Sequence, residues 1–322
     1  MLKNAKNLIA LACALSAAAV APALHADIAG TNVRLEAVPS YVQRLYLPVV
    51  PQAQNTLRID ALPVDAVLEA PAGFNVVAED GAVIVESQGG DVAGDARVSA
   101  GGRELTLALA AAVPYDAMKN GVLDGYRVGK YAEPLKGLES YEPPKGFVRL
   151  TGDNGTLRVS DHYRMKDFQC KLDGPAKFVV LRTEALLKLE ILQHELQTKE
   201  GLHFDRFAVM SGFRTPYYNS KIGNETEHSR HLYGDAMDIY IDANGDGNMD
   251  DINRDGRIDA GDARLLLHVA EGIDESPEWG WLKGGAGVYH ANAAHGPYLH
   301  VDARGYVARW GATQEVASLR GK

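Results

Sequence analysis

The spacing of hydrophobic residues changes along the chain and divides it into segments of different predicted structure. Between residues 27 and 112, short alternating or apolar runs such as NTLRIDAL, FNVVAEDGAVIVES and RELTLALAA are separated by Gly, Pro and Asp. Such runs, bounded by turn residues, predict β-strands. We therefore expect a small β-sandwich-like module at 27–112. It contains no cluster of catalytic residue types, so its role is not indicated.

The hydrophobic pattern weakens at 113–154 and then becomes helical. YAEPLKGLESYEPPKGF is rich in Pro, Gly and Tyr, which predicts a linker lying against a neighbouring domain. RTEALLKLEILQHELQTKEG has apolar residues at 186, 187, 189, 191, 192 and 196, so it predicts a mostly buried helix that ends near Gly201. FDRFAVMSGFRTPYYNS predicts a strand and then a loop from about Ser211. Together these elements indicate an α+β class, in which a small antiparallel sheet with flanking helices follows the β-rich module.

Two later segments alternate apolar and polar residues. In DAMDIYI the residues at 237, 239 and 241 are apolar, so Asp238 faces the other side of a strand; in YLHVD, His300 and Asp302 lie opposite Leu299 and Val301. Two neighbouring strands of this kind can present Asp238 and His300 to one point, with His231 approaching from a loop. Two imidazoles and a carboxylate are a common catalytic zinc shell that leaves a position for water. Taken singly, each residue is more often an ordinary polar residue at a strand end.

Three sequence blocks resemble a known family. SGFRTPYYN, SRHLYGDAMDI and HGPYLHVDARGYVARW look, in this order, like the signature blocks of the zinc D-Ala-D-Ala carboxypeptidase-like peptidases. That superfamily also includes lysostaphin-type enzymes and the hedgehog signalling domain. VSDHYRMKDFQCK, at 159–171, resembles the block that opens the catalytic domain in one bacterial branch. The resemblance covers about 155–312, and we expect the peptidase domain at 155–314.

The resemblance implies a function and a set of ligands. It implies zinc held by His231, Asp238 and His300, and cleavage of peptide bonds next to D-amino acids in peptidoglycan stem peptides or cross-links. The zinc would polarise the scissile carbonyl and lower the pKa of a bound water. Arg214, in SGFRT, matches the family arginine that steadies the developing oxyanion. The alternative is a catalytically inactive, metal-binding module that recognises peptidoglycan.

The general base does not follow directly from the resemblance. Relatives place a His, Asp or Glu two or three residues before the last ligand, where this chain has Tyr298 and Pro297. His295 is the favoured candidate, because its short loop could fold over the zinc and its usual pKa suits proton transfer. Asp302 is the other candidate, and it could instead orient the imidazole of His300. Among the other histidines, His290 and His228 are weaker candidates, and His203 and His268 are expected to be structural or exposed.

The segment that follows is strongly acidic and carries two overlapping patterns of calcium loops. In both, oxygen-bearing side chains recur at alternate positions with a glycine at position 6, an arrangement that can wrap one Ca²⁺. The looser first loop begins DANGDGNMD, and the second, DINRDGRIDAGD, resembles a dockerin-type loop. An acidic solvated loop without metal is the alternative, mainly for the first. The predicted calcium ligands within 242–262 are Asp242, Asn244, Asp246, Asn248, Asp250, Asp251, Asn253, Asp255, the carbonyl of Arg257, Asp259 and Asp262.

Charge and the N-terminus bear on partners and location. The net charge of −9 argues against nucleic acid as a partner. Residues 1–26 resemble a signal peptide, with Lys3 and Lys6 before LIALACALSAAAVAPA and a cleavage site after Ala26, so we expect an exported, periplasmic protein. The mature chain would keep one cysteine, Cys170, and no internal disulfide. No further stretch predicts a membrane span.

A calcium-binding adhesion protein is a further alternative. It would explain the acidic segment 242–262 but not the set of His231, Asp238 and His300. The sequence does not indicate an oligomeric state.

Overall fold

The computed structural model describes residues 30–31, 37–51, 55–58, 67–79, 82–100 and 102–311. The predicted signal peptide lies outside these residues. Within them, none of the helices combines the length and the apolar character that a bilayer crossing requires. The described residues form several small sheets and three α-helices, which is the mixed α+β class that the sequence predicts.

The N-terminal part is made of short strands, as the alternating pattern predicts. Eight strands are described between residues 30 and 111: β1 (Gly30–Thr31), β2 (Arg44–Val49), β3 (Asn55–Arg58), β4 (Val67–Glu69), β5 (Phe74–Glu79), β6 (Ala82–Ser87), β7 (Ala93–Ala100) and β8 (Arg103–Ala111). They form two four-stranded sheets, with orders β1-β3-β6-β5 and β2-β8-β7-β4. Leu105, Leu107 and Leu109 share one buried face of β8, and Ala108 and Ala110 on its other face are buried as well, so the second half of the strand lies inside the core.

The next segment consists of short strands and single turns that pack against the rest of the chain. Its strands are β9 (Val113–Pro114), β10 (Val122–Leu123), β11 (Tyr126–Arg127), β12 (Gly146–Leu150) and β13 (Lys177–Val179). Tyr126, Phe147 and Phe178 are fully buried in a hydrophobic core that extends from the N-terminal sheets to the last sheet. The segment predicted as a linker therefore contributes large side chains to the common core.

Three α-helices follow, and the last of them packs against both the first helix and the last sheet. They are α1 (Thr183–Lys199), α2 (Pro216–Lys221) and α3 (Ala260–Glu275). The prediction of a mostly buried helix ending near Gly201 is confirmed by α1. At the start of α3, Asp259 accepts a hydrogen bond from Gly261 N, and Asp262 accepts one from Asp259 N, which together satisfy N–H groups that the helix itself leaves unpaired.

A buried ion pair connects the two long helices. Lys188 Nζ on α1 donates to Asp274 Oδ1 on α3 at 2.7 Å and to the carbonyl of Asp302 at 3.0 Å. Arg309 Nη2 donates to the other Asp274 oxygen at 2.7 Å. Burial lowers the pKa of Lys188, and the neighbouring Asp274 carboxylate opposes this effect. The network holds the end of the sheet that carries His300 against both helices.

The last sheet has five strands and carries the polar residues that the sequence predicts to converge. The strands are β14 (Ala208–Ser211), β15 (Ala236–Tyr240), β16 (Gly285–Tyr289), β17 (Tyr298–Asp302) and β18 (Ala308–Gly311), in the order β14-β15-β17-β16-β18. β15 and β17 are antiparallel neighbours, and Asp238 is paired directly with His300. The apolar face of these two strands is buried; it comprises Met237, Ile239, Leu299 and Val301. The opposite face carries Asp238, His300 and Asp302.

Candidate metal centre and its cleft

The backbone brings three donor side chains together from two strands and one turn. Asp238 and His300 lie on the same face of β15 and β17 because paired residues of antiparallel strands point to the same side. His231 lies in the turn 230–233, which ends at Gly234 with φ 73°. A Cβ at Gly234 would lie 2.4 Å from the carbonyl oxygen of Val180, so this close approach to the preceding segment requires glycine.

The donor atoms converge at distances that suit a tetrahedral metal ion. His231 Nε2 lies 3.2 Å from Asp238 Oδ1 and 3.2 Å from His300 Nδ1, and His300 Nδ1 lies 2.9 Å from Asp238 Oδ1. Ligand atoms about 2.0–2.1 Å from a tetrahedral zinc would be about 3.3 Å apart. These three residues are the one group of at least three His, Cys, Asp or Glu donors within 4.8 Å of each other among the described residues.

Hydrogen bonds on the far side of each imidazole orient the nitrogens of the centre. His231 Nδ1 is 2.7 Å from the carbonyl of Gly212, which can only accept, so Nδ1 donates and Nε2 presents a lone pair. His300 Nε2 is 3.2 Å from Asp302 Oδ2, so Nδ1 is the nitrogen left for the centre. Two lone pairs and a carboxylate therefore face one point, and a cation bound there would offset their mutual repulsion. The residues present fit a zinc ion.

The charges of the centre shift its pKa values in different directions. Burial lowers the pKa of His231 and outweighs the nearby carboxylate. Burial also lowers that of His300, but hydrogen bonds and charges of Asp238 and Asp302 outweigh it, so the net pKa is raised. Burial raises the pKa of Asp238, but the two imidazoles hold it well below its usual range. The carboxylate is therefore ionised at neutral pH and ready to bind a cation.

Asp302 is held by several donors besides the imidazole. Its oxygens accept hydrogen bonds from Gly285 N at 2.7 Å, from Arg304 N at 3.1 Å and from Arg304 Nε at 2.9 and 3.0 Å. Arg304 Nη2 donates a further bond at 2.5 Å. Burial raises its pKa, but the hydrogen bonds from His300 and Arg304 outweigh this and lower it far below the usual range. Asp302 is thus a fixed anion behind His300.

Arg214 lies directly beside the centre. Its Nη2 donates to Asp238 Oδ2 at 2.5 Å, and its Nε donates to Ser211 Oγ at 2.8 Å. The oxygen of Asp238 that Arg214 contacts differs from the one that faces the imidazoles. The guanidinium therefore lies next to the centre without occupying it.

An open cleft of about 490 Å³ leads to the centre and is bordered by aromatic residues. Its lining includes Arg214, Asp238, Tyr289, Tyr298, Asn224 and Glu225. Tyr298 stacks on Tyr289, with centroids 4.6 Å apart and an angle of 7°. Burial raises the pKa of Tyr298, and the charge of Asp238 raises it further. A larger cavity of about 910 Å³ lies near Arg206 and Asp242, but it includes none of the three donors, so the smaller cleft is the one relevant to the chemistry.

Trp310 completes the aromatic surroundings. Its ring centroid lies 5.0 Å from that of His300, and its Nε1 donates to the Tyr289 hydroxyl at 2.9 Å. Gly287 provides the space, since a Cβ there would lie 2.3 Å from Trp310 Nε1. Trp310 therefore contacts a candidate ligand and one of the cleft tyrosines at once.

Part of the chain matches a family model. Residues 162–263 match the Peptidase M15 family. The matched segment contains His231 and Asp238, and His300 follows it. No curated protein matches the chain.

The structure places the five other histidines discussed above outside the centre. His295 stands edge-on to Tyr298 at 4.9 Å, and its ring nitrogens lie 2.8 Å from Asn292 Nδ2 and 2.8 Å from the carbonyl of Gly296. Both nitrogens are thus engaged within its own loop, and His295 is not part of the cleft lining. His228 Nε2 lies 2.9 Å from the carbonyl of Glu133. His290, His203 and His268 are exposed.

The sequence does not identify several residues that surround the centre or line its cleft. Glu225 was missed because it lies in a loop between the signature blocks and shows no spacing relative to the ligands. Arg304 and Trp310 were missed because their contacts depend on how β16, β17 and β18 are paired. The quoted block that ends in ARW contained the signal for Trp310, but not its place against His300.

The acidic segment 242–262 forms two similar turns, nine residues apart. Asp242 accepts hydrogen bonds from Asp246 N and Gly247 N, and Asp251 accepts them from Asp255 N and Gly256 N. The oxygens of this segment are therefore turned inward over the backbone of each loop. They do not form a second group of three close His, Cys, Asp or Glu donors among the described residues.

Proposed function

We propose that the protein is a zinc-dependent peptidase that cleaves peptide bonds next to D-amino acids in peptidoglycan stem peptides or cross-links. The supporting observation is the convergence of His231, Asp238 and His300, whose free lone pairs face one point. Peptidases of the M15 family are zinc-dependent, and residues 162–263 match that family. The predicted signal peptide supports a periplasmic location, where peptidoglycan is accessible.

The residues around the proposed zinc have distinct roles. When bound, zinc polarises a carbonyl and lowers the pKa of water. Asp302 keeps the Nδ1 of His300 directed at the centre, and Gly212 does the same for the Nε2 of His231. Arg214 brings a fixed positive charge to the cleft, where it can stabilise an oxygen that becomes negative during hydrolysis.

Asp302, the second base candidate from the sequence, is buried behind His300 with both oxygens hydrogen-bonded, so we propose an orienting role for it. Two other residues are candidates for the general base. His295 follows from the sequence, but its ring would have to break a hydrogen bond in its loop to accept a proton. Glu225 is the exposed carboxylate in the cleft lining and needs no such rearrangement. A carboxylate in a cleft of this kind can take a proton from water and return it to a leaving amine. We therefore add Glu225 to His295 as a proposed base.

The decisive experiment is digestion of purified peptidoglycan fragments followed by mass spectrometry. We expect zinc-loaded protein to shorten stem peptides or open cross-links, a chelator to stop the reaction and added zinc to restore it. His300→Ala should lose both bound zinc and cleavage, whereas His268→Ala, at an exposed position of α3, should keep both. Fragments left intact by zinc-loaded protein would overturn the peptidase proposal, and retained binding to them would then support the recognition module.

A calcium-binding role for residues 242–262 is a separate proposal. The repeated turns place Asp or Asn oxygens at positions 1, 3 and 5 of each loop. Gly247 and Gly256 have φ 84° and 83° at position 6, where a calcium loop needs its sharp turn. Since β15 ends at Tyr240, an ion in the first loop would stabilise the chain just beyond Asp238. The proposed ligands are those predicted from the sequence.

A further inference from the structure

Two hydrogen-bond donors line the cleft without a protein acceptor. Among the described residues, the hydroxyl of Tyr298 and the Nη1 of Arg214 have no hydrogen-bond partner, although Arg214 Nε and Nη2 are bonded to Ser211 and Asp238. The hydroxyl oxygen of Tyr298 retains exposed surface, so solvent reaches it. Both donors are therefore available to a ligand that enters the cleft.

The position of Tyr298 is fixed by its ring and not by its hydroxyl. The ring stacks on Tyr289, is contacted edge-on by His295, and leaves the residue only 8% exposed. Tyr289 is in turn held by the hydrogen bond from Trp310. A phenol whose ring is packed on two sides holds its hydroxyl in place before a ligand arrives, which reduces the entropic cost of forming a new hydrogen bond.

The location of Tyr298 relates its hydroxyl to the reacting group. Tyr298 precedes His300 by two residues and lies on the same face of β17. It lines the cleft together with Asp238, one of the candidate ligands, and with Arg214, which is bonded to that ligand. A carbonyl oxygen brought to the centre would thus be bordered by one neutral and one positive donor.

We infer that Tyr298 is a catalytic residue of the proposed peptidase reaction. Its hydroxyl donates a hydrogen bond to the carbonyl oxygen that becomes negative as the scissile carbon turns tetrahedral, and Arg214 donates beside it. The phenol only donates this hydrogen bond, and no proton is transferred from it in the step. This inference rests on the proposed function. It also assigns a role to the position at which the resemblance would place a general base.

The test compares Tyr298→Phe with the wild type, both loaded with zinc. Phenylalanine keeps the ring that stacks on Tyr289 and removes only the hydroxyl. We expect zinc content and melting temperature to stay unchanged. We expect kcat to fall by about 10- to 100-fold, because removal of a single oxyanion donor can lower kcat by up to about 10²–10³-fold. KM should change by less than about threefold, because the hydrogen bond forms in the transition state.

A binding measurement gives a readout that does not depend on turnover. A phosphinate analogue of a D-alanyl-D-alanine dipeptide carries negative oxygens where the tetrahedral carbon would have them. By calorimetry, Tyr298→Phe should weaken its binding by about the same factor as kcat/KM. Tyr306→Phe is the matched control: its hydroxyl contacts that of Tyr141 at 2.7 Å, outside the cleft, and it should behave as wild type.

The possible failures are distinguishable. Wild-type kcat and phosphinate affinity in Tyr298→Phe would overturn the role of Tyr298 and leave the peptidase proposal intact. A rise in KM alone would show that the hydroxyl holds a carboxylate of the bound substrate, and loss of zinc or of the fold would show a structural role; either result overturns the inference. A wild-type protein that cleaves no fragment and binds no phosphinate would overturn both proposals.

Discussion

His300 Nε2 lies 3.2 Å from Asp302 Oδ2, on the opposite side of the imidazole from the nitrogen that faces Asp238. The two residues are neighbours on one face of β17, so the strand itself sets their spacing. A candidate ligand and the carboxylate that orients it therefore come from one five-residue strand. The orientation of His300 does not depend on a separate loop.

Replacement of Asp302 should weaken metal binding without removing a ligand. We expect Asp302→Asn to reduce zinc affinity by about 10- to 100-fold, because residues that orient a ligand imidazole typically contribute this much. The measurement is competition with a zinc chelator of known affinity. Asp173→Asn, at a fully solvated side chain, is the control. An unchanged dissociation constant for Asp302→Asn would contradict the orienting role.

Variants of the two candidate bases should separate them. We expect Glu225→Gln to keep zinc and lose about 100-fold in kcat, the usual scale for general acid–base catalysis, and His295→Ala to lose less than about tenfold. Glu227→Gln, two residues away and exposed, controls for the loss of a loop charge. The reverse order, with His295→Ala inactive and Glu225→Gln active, would assign the base to His295, as the sequence suggests.

Calcium should raise the melting temperature of the protein if residues 242–262 bind it. An ion that binds only the native state stabilises it by about 2.7 kcal/mol at a hundredfold excess over its dissociation constant. Thermal melts of zinc-loaded protein with and without calcium measure the effect, and Asp255→Ala should blunt the rise while zinc stays bound. Asp173→Ala should respond as wild type. A midpoint unaffected by millimolar calcium would indicate a solvated acidic loop.

The contact between His162 and Glu190 should make stability depend on pH. His162 Nδ1 lies 2.6 Å from Glu190 Oε2, and this hydrogen bond, opposed by burial and aided by the charges of Glu190 and Asp161, raises the pKa of His162. The contribution of this pair to the free energy of unfolding is complete below the pKa of His162 in the unfolded chain, about 6.5. It is lost as the pH rises through the higher pKa of His162 in the folded protein. Urea unfolding should therefore show a larger destabilisation by His162→Ala at about pH 6 than at about pH 9, and equal effects at both would refute this.

The local pattern of the sequence predicts the strands and two of the three donors, but not the arrangement of the whole cleft. The period of two placed Asp238 and His300 on polar faces, and the structure pairs them directly. The alternating pattern contains no information on the strand order β15-β17-β16-β18. In this order Trp310 of β18 packs over Gly287 of β16 and reaches His300 of β17. Contacts between strands that are distant in sequence are set by pairing and packing and not by local periodicity.

The position of Trp310 against His300 gives the centre an intrinsic optical signal. The chain has three tryptophans. Of the other two, Trp279 precedes the turn Gly280–Leu282 after α3 and Trp281 lies within it, and neither packs against His300. A change in the charge of the imidazole, whether by a proton or by a metal ion, alters the electric field at the Trp310 indole 5.0 Å away. Fluorescence emission can thus follow filling of the centre in real time without a label, and Trp310→Phe identifies its share of the signal.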